Sequence, residues 1–136
     1  MNEVKYHIIL VDDEEATLFY HTIMAEEAAV CNNITGCKNG NDLLSQLEFF
    51  VNENKYTKFL IFLDINMPAM DGWETVGIIE EEWKQEDKSR LFIYMVSASE
   101  HPKDAEKCIQ HPLVIQMTPK PLTPEIIRIS YLKMTS

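Results

Sequence analysis

The sequence predicts an α/β fold in which a five-stranded parallel sheet is covered by helices on both faces. Three short apolar runs, at residues 8–11, 59–63 and 91–96, are continuous rather than alternating, as is typical of strands that are buried on both faces. Amphipathic helical patterns lie between the runs. Strand and helix therefore alternate five times along the chain, which indicates an α/β layer architecture with right-handed crossovers.

The weaker elements follow from shorter patterns. Two further strands are expected near residues 34–38 and 113–117. Phe49, Phe50 and Trp83 are predicted to lie in the core. Three helices each carry apolar residues that recur on one helical face. The residues of these faces are Leu43, Leu44, Leu47 and Phe50; Trp73, Val76, Ile79 and Trp83; and Leu122, Ile126, Ile129 and Leu132.

Local signals indicate where several elements begin. Asp71 is a capping acid for the third helix. Pro102 suits the first turn of a short helix over residues 102–110. Residues 52–58 and 84–90 are polar and are interpreted as loops or helix ends.

Composition restricts the function classes. The 136 residues, with 46% apolar and 25% charged side chains, fit one domain with one core, spanning residues 1–136. The net charge of −10 argues against nucleic acid as a partner. No run approaches the roughly 18 apolar residues of a membrane span, so we expect a cytoplasmic protein with no membrane partner. We expect reduced and mostly buried thiols at the three cysteines. No metal or phosphotransfer role is expected for the four histidines, which we expect at the surface or partly buried; they are His7, His21, His101 and His111.

Polar residues follow the predicted strands, where ligands bind in open parallel sheets. Asp12 and Asp13 come directly after the first apolar run, and Asp64 directly after the second. Ser97 follows the third strong run, and Lys120 follows the weak fifth strand. Since the carboxyl ends of parallel strands meet at one edge, three carboxylates, a hydroxyl and an ammonium are expected to converge there.

These groups make chemical sense as one site. Asp12, Asp13 and Asp64 would repel one another, and a divalent cation would relieve the repulsion; an all-oxygen ligand set favours Mg²⁺. A carboxylate beside that metal can attack phosphorus and form an acyl phosphate. Lys120 and Ser97 would then contact the phosphoryl oxygens. Taken singly, each residue also suits a helix cap, a turn or a solvated surface, and only their joint occurrence favours the site.

Four motifs carry a resemblance to a known family. Over residues 5–133 the chain resembles the receiver domain of two-component response regulators. The motif after the second strong run is the most specific, because it continues for ten residues. The motifs are Val11-Asp12-Asp13, residues 63–72 (LDINMPAMDG), Val96-Ser97-Ala98 and Lys120-Pro121.

The resemblance implies a fold and a ligand set. The fold would be a doubly wound five-stranded parallel sheet, (βα)5 and flavodoxin-like, with strand order 2-1-3-4-5. Asp64 would be the phosphoacceptor. Asp13, Asp64 and the backbone carbonyl of Asn66 would bind Mg²⁺ directly, and Asp12 would act through a water of the metal.

The resemblance also assigns roles near the last strand. Ser97 would move toward the phosphoryl group, and Lys120 would pair with it. The Lys120–Pro121 peptide bond is expected to be cis. Two positions depart from the family pattern: Met117 stands where an aromatic residue is usual, and Pro119 is expected to distort the strand end.

The implied function is a signalling switch rather than an enzyme. Its phosphoryl donor would be a sensor histidine kinase or a histidine phosphotransfer protein, and its output an unidentified downstream protein bound by a stand-alone receiver. One alternative is a receiver-like binding module that takes no phosphate. Another is a phosphatase of the haloacid dehalogenase type, which needs a second aspartate where Asn66 stands.

Overall fold

The computed structural model describes residues 4–99 and 101–136 of the chain. Strands and helices alternate along these residues as the sequence predicts, with one additional short helix. In chain order the elements are β1 (Lys5–Val11), α1 (Glu15–Ala28), β2 (Ile34–Cys37), α2 (Gly40–Glu53), β3 (Thr57–Asp64), α3 (Gly72–Glu82), α4 (Gln85–Lys88), β4 (Leu91–Ser97), α5 (Pro102–Gln110), β5 (Val114–Pro119) and α6 (Pro124–Thr135).

The five strands form one parallel sheet in the order β2-β1-β3-β4-β5. Every neighbouring pair is parallel. The predicted doubly wound flavodoxin-like fold and its strand order are therefore confirmed. In this order β1 and β3 lie side by side at the centre, so the chain crosses from one face to the other between them, which is where open sheets of this type bind ligands.

The sheet separates two apolar cores. Because successive side chains of a strand point to opposite faces, Ile9 and Ile61 pack in the core under α2 and α3. Their neighbours Ile8 and Leu60 pack in the core under α1 and α6. Both faces of the central strands are covered, and this double burial explains why the sequence shows continuous apolar runs there instead of alternation.

Helix starts follow the predicted signals. Asp71 accepts the Glu74 N–H, and the Glu74 carboxylate accepts the Asp71 N–H in return, so α3 begins with a complete capping box. Pro102 occupies the first turn of α5. Thr123 caps α6 by accepting the Ile126 N–H. Both expectations, the Asp71 cap and the Pro102 start, are confirmed.

The predicted apolar face of the last helix is wrong. Leu122 precedes α6, and Ile129 and Leu132 are 56% and 62% exposed. The buried positions are Ile127, Ser130 and Met134, which are spaced by three and four residues. The predicted face counted Leu122 as a helical residue, whereas the helix starts only after the cap at Thr123. The apolar pattern therefore identified the wrong face of the helix as buried. Phe49, predicted in the core, is also exposed.

Residues 84–90 contain more structure than the predicted loop. They form the single turn α4 and end in Arg90, which is buried. The guanidinium of Arg90 donates to the carbonyls of Val51 and Asn54, at 2.9–3.3 Å, and so satisfies carbonyls at the end of α2. The polar composition of residues 84–90 gives no indication of this capping role.

The described residues include no helix that is both long enough and apolar enough to span a bilayer. The three cysteines are free thiols, of which Cys37 is buried and the other two half-buried.

Candidate functional site

The predicted site residues meet at the carboxyl edge of the sheet. Asp12 follows β1, Asp64 ends β3, and Ser97 ends β4. Lys120 comes directly after β5. The parallel register aligns these strand ends, because Asp64 pairs with Val96 and Ser97 with Pro119.

Three carboxylates form a cluster at this edge. Asp12, Asp13 and Asp64 each place one oxygen so that the three atoms lie within 4.8 Å of one another. Asp12 and Asp64 are 2% exposed, whereas Asp13 is exposed. The cluster is therefore buried on the sheet side and open to solvent on the side of Asp13.

Lys120 faces the two buried carboxylates. Its Nζ lies 2.7 Å from Oδ2 of Asp12 and 3.2 Å from Oδ1 of Asp64. Oδ2 of Asp12 is fully buried, and the ammonium of Lys120 is its partner. Burial lowers the pKa of Lys120, but the pairing with Asp12 and Asp64 outweighs it and the pKa lies above its usual value.

Asp64 has an unusual acidity for a carboxyl group. Burial raises its pKa to about 6, and the charge of Asp12 adds to this effect. The ammonium of Lys120 and the Asn66 N–H, which donates to Oδ1 at 3.3 Å, act in the opposite direction. At neutral pH the group is still mainly ionised, which is the form that can act as a nucleophile.

Asp12 has a second contact just before the first helix. Its Oδ1 accepts the Glu14 N–H at 2.9 Å, just before α1 begins at Glu15. This contact lies before the helix and is not a cap, because the N-cap residue of α1 is Glu14 and no side chain caps the helix start. The alternative in which Asp12 or Asp13 caps the next helix is therefore wrong.

Ser97 lies at the site but is bonded within its own loop. Its hydroxyl donates to the Ser99 carbonyl at 2.7 Å and accepts the Ser99 N–H at 3.3 Å. The side chain is nearly buried. The hydroxyl thus has partners other than the carboxylates.

The loop after β3 is packed tightly against the strand end. A Cβ on Gly72 would lie 2.6 Å from the Asp64 carbonyl oxygen, so this position admits no side chain without displacing the backbone. Ala69 has a φ of 68°, in the left-handed region that non-glycine residues rarely adopt. The start of α3 is therefore held directly beside Asp64.

The turn after β5 differs in part from expectation. The Lys120–Pro121 bond is cis, as predicted. The predicted distortion at Pro119 is absent, because Pro119 pairs with Ser97 in register and the Lys120 N–H donates to the Ser97 carbonyl at 2.9 Å. The irregular step between β4 and β5 lies instead at Ile93 and Tyr94.

Met117 and Trp73 line the neighbouring α5 side of the sheet. Met117 is half-buried and packs against the core beneath α5. The indole N–H of Trp73 donates to Asp104 of α5 at 3.1 Å, and its ring stacks on His111. Trp73, the second residue of α3, therefore links the helix beside the carboxylate loop to α5.

His21 is the residue near the site that sequence reasoning missed. The sequence predicts a surface or partly buried position for it, but it is 3% exposed and its Nε2 accepts the Leu122 N–H at 3.1 Å. Burial lowers its pKa, Asp12 raises it, and Lys120 lowers it further. Its spacing from Ala25 and Ala28, which share its buried helical face, was the available signal.

Comparisons place the chain among known proteins. The family model for the response regulator receiver domain matches residues 8–130. A solved two-component response regulator from Cytophaga hutchinsonii is similar, with a TM-score of 0.85 and 24% identity over 98% of both chains. A response regulator receiver protein from Dyadobacter fermentans gives a TM-score of 0.80 and 19% identity over 96% of this chain and 98% of that chain.

A third solved structure is the chemotaxis protein CheY4 of Vibrio cholerae, with a TM-score of 0.74 and 17% identity over 97% of this chain and 99% of that chain. At these identities the structural likeness shows the fold alone. No curated protein matches the chain.

Proposed function

Because this chain belongs to the response regulator receiver family, we propose that it is a phosphorylation switch whose phosphoryl group is carried by Asp64. Receiver domains act as signalling switches and interact with histidine kinases or phosphotransfer proteins. The observation that carries the proposal is the position of Asp64, at a strand end, with Lys120 Nζ at 3.2 Å and two further carboxylates in the same cluster.

The residues present fit a hard divalent cation. The cluster offers oxygen ligands only, and among the described residues Lys120 pairs with two of its three carboxylates. Asp13, Asp64 and the carbonyl of Asn66 would hold Mg²⁺, with Asp12 acting through a water. When bound, Mg²⁺ would supply positive charge against the carboxylates and the phosphoryl oxygens.

The transfer itself would take place at an oxygen of Asp64. The carboxylate attacks the phosphorus of a phosphohistidine, a new O–P bond forms, and the bond from phosphorus to the imidazole nitrogen breaks with its electron pair going to that nitrogen. The product is an acyl phosphate on Asp64 and a free histidine on the donor. The pKa of about 6 leaves Asp64 mainly ionised at neutral pH and ready to react.

Lys120 and Ser97 would serve the transferred group. The ammonium of Lys120 already lies beside Asp64 and would pair with a phosphoryl oxygen. Ser97 would have to leave its bonds to Ser99 to donate to another oxygen. That exchange of hydrogen-bond partners is the local change through which phosphorylation would alter binding of an unidentified downstream protein. We treat residues 1–136 as one receiver domain in this proposal.

The first test is phosphorylation by acetyl phosphate in the presence of Mg²⁺, followed by intact mass. We expect the wild type to gain about 80 Da, the mass of one phosphoryl group, and Asp64→Asn to gain nothing. Gain in both proteins would place the acceptor elsewhere. No gain in a wild type that binds Mg²⁺ would favour the binding module that takes no phosphate.

A further inference from the structure

We propose that His21 is a positioning residue. It holds the turn of residues 120–123, which carries Lys120, against α1, so that the Lys120 ammonium stays beside Asp64. The inference rests on the proposed function, because it concerns how Lys120 is presented to the phosphoacceptor. His21 itself touches neither Asp64 nor a phosphoryl group in this account; it acts through the backbone at Leu122.

Two hydrogen bonds fix the turn from opposite sides. Before the proline, the Lys120 N–H donates to the Ser97 carbonyl at 2.9 Å. After it, the Leu122 N–H donates to Nε2 of His21 at 3.1 Å. The first bond ties the turn to β4, and the second ties it to α1. Among the described residues, the His21 bond is the only side-chain hydrogen bond to the backbone of residues 120–123.

Because both partners are buried, loss of this hydrogen bond would be unfavourable. His21 is 3% exposed and the Leu122 side chain is fully buried. A buried N–H that loses its acceptor is unfavourable, and water has little access to replace it. Removing the imidazole acceptor therefore favours a shift of the turn rather than a simple exchange of partners.

The bond also defines the state of the ring. Nε2 accepts a hydrogen bond and so carries a lone pair, which places the ring proton on Nδ1 and leaves the imidazole neutral. A cation at this place would face the ammonium of Lys120. The position thus calls for a neutral acceptor that reaches as far as Nε2.

The position of the Lys120 ammonium depends on where the backbone of Lys120 lies. Its Nζ reaches Asp12 at 2.7 Å and Asp64 at 3.2 Å, and both of those carboxylates are fixed at the ends of central strands. Reaching both carboxylates at once limits how far the Cα of Lys120 can move before one contact is lost. Displacement of the turn would move the ammonium away from the position where it meets the phosphoryl group.

The test compares two substitutions of His21. His21→Leu keeps the volume but removes the acceptor, whereas His21→Gln supplies an amide oxygen close to the position of Nε2. We expect His21→Leu to lower the rate of phosphorylation by acetyl phosphate and Mg²⁺ about 10-fold, and His21→Gln to remain within about 2-fold of the wild type. Equal rates for all three proteins would overturn the inference.

A double-mutant cycle separates positioning from general stability. In a Lys120→Met background there is no ammonium to position, so we expect His21→Leu to change the rate by less than about 2-fold. The same 10-fold loss in both backgrounds would mean that His21 acts independently of Lys120, and would overturn the inference. If His21→Leu does not fold, His21→Asn replaces it, because its amide is too short to reach the Leu122 N–H.

A second measurement does not depend on phosphorylation. Acetic anhydride labelling of Lys120, read by peptide mass spectrometry, reports whether the ammonium stays in its ion pairs. We expect low labelling in the wild type and in His21→Gln, and several-fold higher labelling in His21→Leu. Unchanged labelling in His21→Leu would overturn the inference, whether or not the wild type takes phosphate; a wild type without phosphate would overturn only the proposed function.

Discussion

At the scale of single residues, the candidate site keeps a reactive carboxylate buried at a cost in folding stability. Asp64 is a buried carboxylate beside the like charge of Asp12, and Lys120 offsets only part of the cost. A neutral side chain of the same shape would be easier to bury. The free protein therefore retains at Asp64 a group that opposes folding at neutral pH, which is typical of functional sites.

This conflict predicts a pH-dependent stabilisation by Asp64→Asn. Because the folded-state pKa of Asp64 is raised from 3.8 to about 6, the folded wild type binds more protons than the unfolded chain between these values, and its stability falls as pH rises through that window. Relative to the wild type, Asp64→Asn should gain about 1–3 kcal/mol at pH 8 and almost nothing at pH 4.

Urea unfolding in EDTA at the two pH values measures this difference. Mg²⁺ should reduce the difference at pH 8, because it binds the folded wild type more tightly than the variant. A variant less stable than the wild type at pH 8 would show that the carboxylate is well compensated by Lys120, contrary to our account of the site.

At the scale of elements, the contact between α3 and α5 joins the loop after Asp64 to the α5 surface. Gly72 packs on the Asp64 carbonyl, and the next residue, Trp73, donates to Asp104 of α5. Met117, in place of an aromatic residue, is half-buried and packs against the core beneath the same helix. A hydrogen bond from a buried indole thus supplies a direct connection between these two helices.

We expect Asp104→Ala to loosen α5. Loss of the acceptor leaves the Trp73 N–H unpaired and should cost about 1 kcal/mol in the free energy of unfolding, with faster amide hydrogen exchange along α5. Asp104→Asn retains an acceptor and should exchange as the wild type does. Glu106→Ala, at an exposed position of the same helix, is the control; equal effects of Asp104→Ala and Glu106→Ala would contradict the role of this bond.

The orientation of α6 gives a second prediction at this scale. Ile127 is fully buried and Ile129 is 56% exposed. Truncation of Ile127 to alanine should cost about 2–4 kcal/mol, because it leaves a cavity beneath the helix, whereas Ile129→Ala should cost less than about 0.5 kcal/mol. Denaturant unfolding of the two variants checks this, and a reversed order would mean that α6 is rotated as the sequence pattern first suggested.

At the scale of the whole molecule, the sequence predicted the sheet and the place of the site for a physical reason. Strands buried on both faces need continuous apolar runs, and the polar residues that end those runs must meet at one edge in a parallel sheet. The sequence alone therefore predicts that Asp12, Asp64 and Lys120 lie together.

Features that depend on packing between distant elements could not be predicted. The phase of α6 depends on where its cap begins, which the apolar pattern alone does not fix. Arg90 caps a helix 36–39 residues earlier in the chain. His21 bonds to a residue 101 positions away. In each case the deciding partner is set by the tertiary fold rather than by local sequence.

The most direct test of the central claim is to trap the acyl phosphate chemically. After reaction with acetyl phosphate and Mg²⁺, borohydride reduces an aspartyl phosphate to homoserine, which peptide mass spectrometry can place in the sequence. We predict homoserine at position 64 in the wild type, dependent on both reagents, and none in Asp64→Asn. Homoserine at another aspartate, or phosphate that survives on a serine or histidine with position 64 unchanged, would contradict the account.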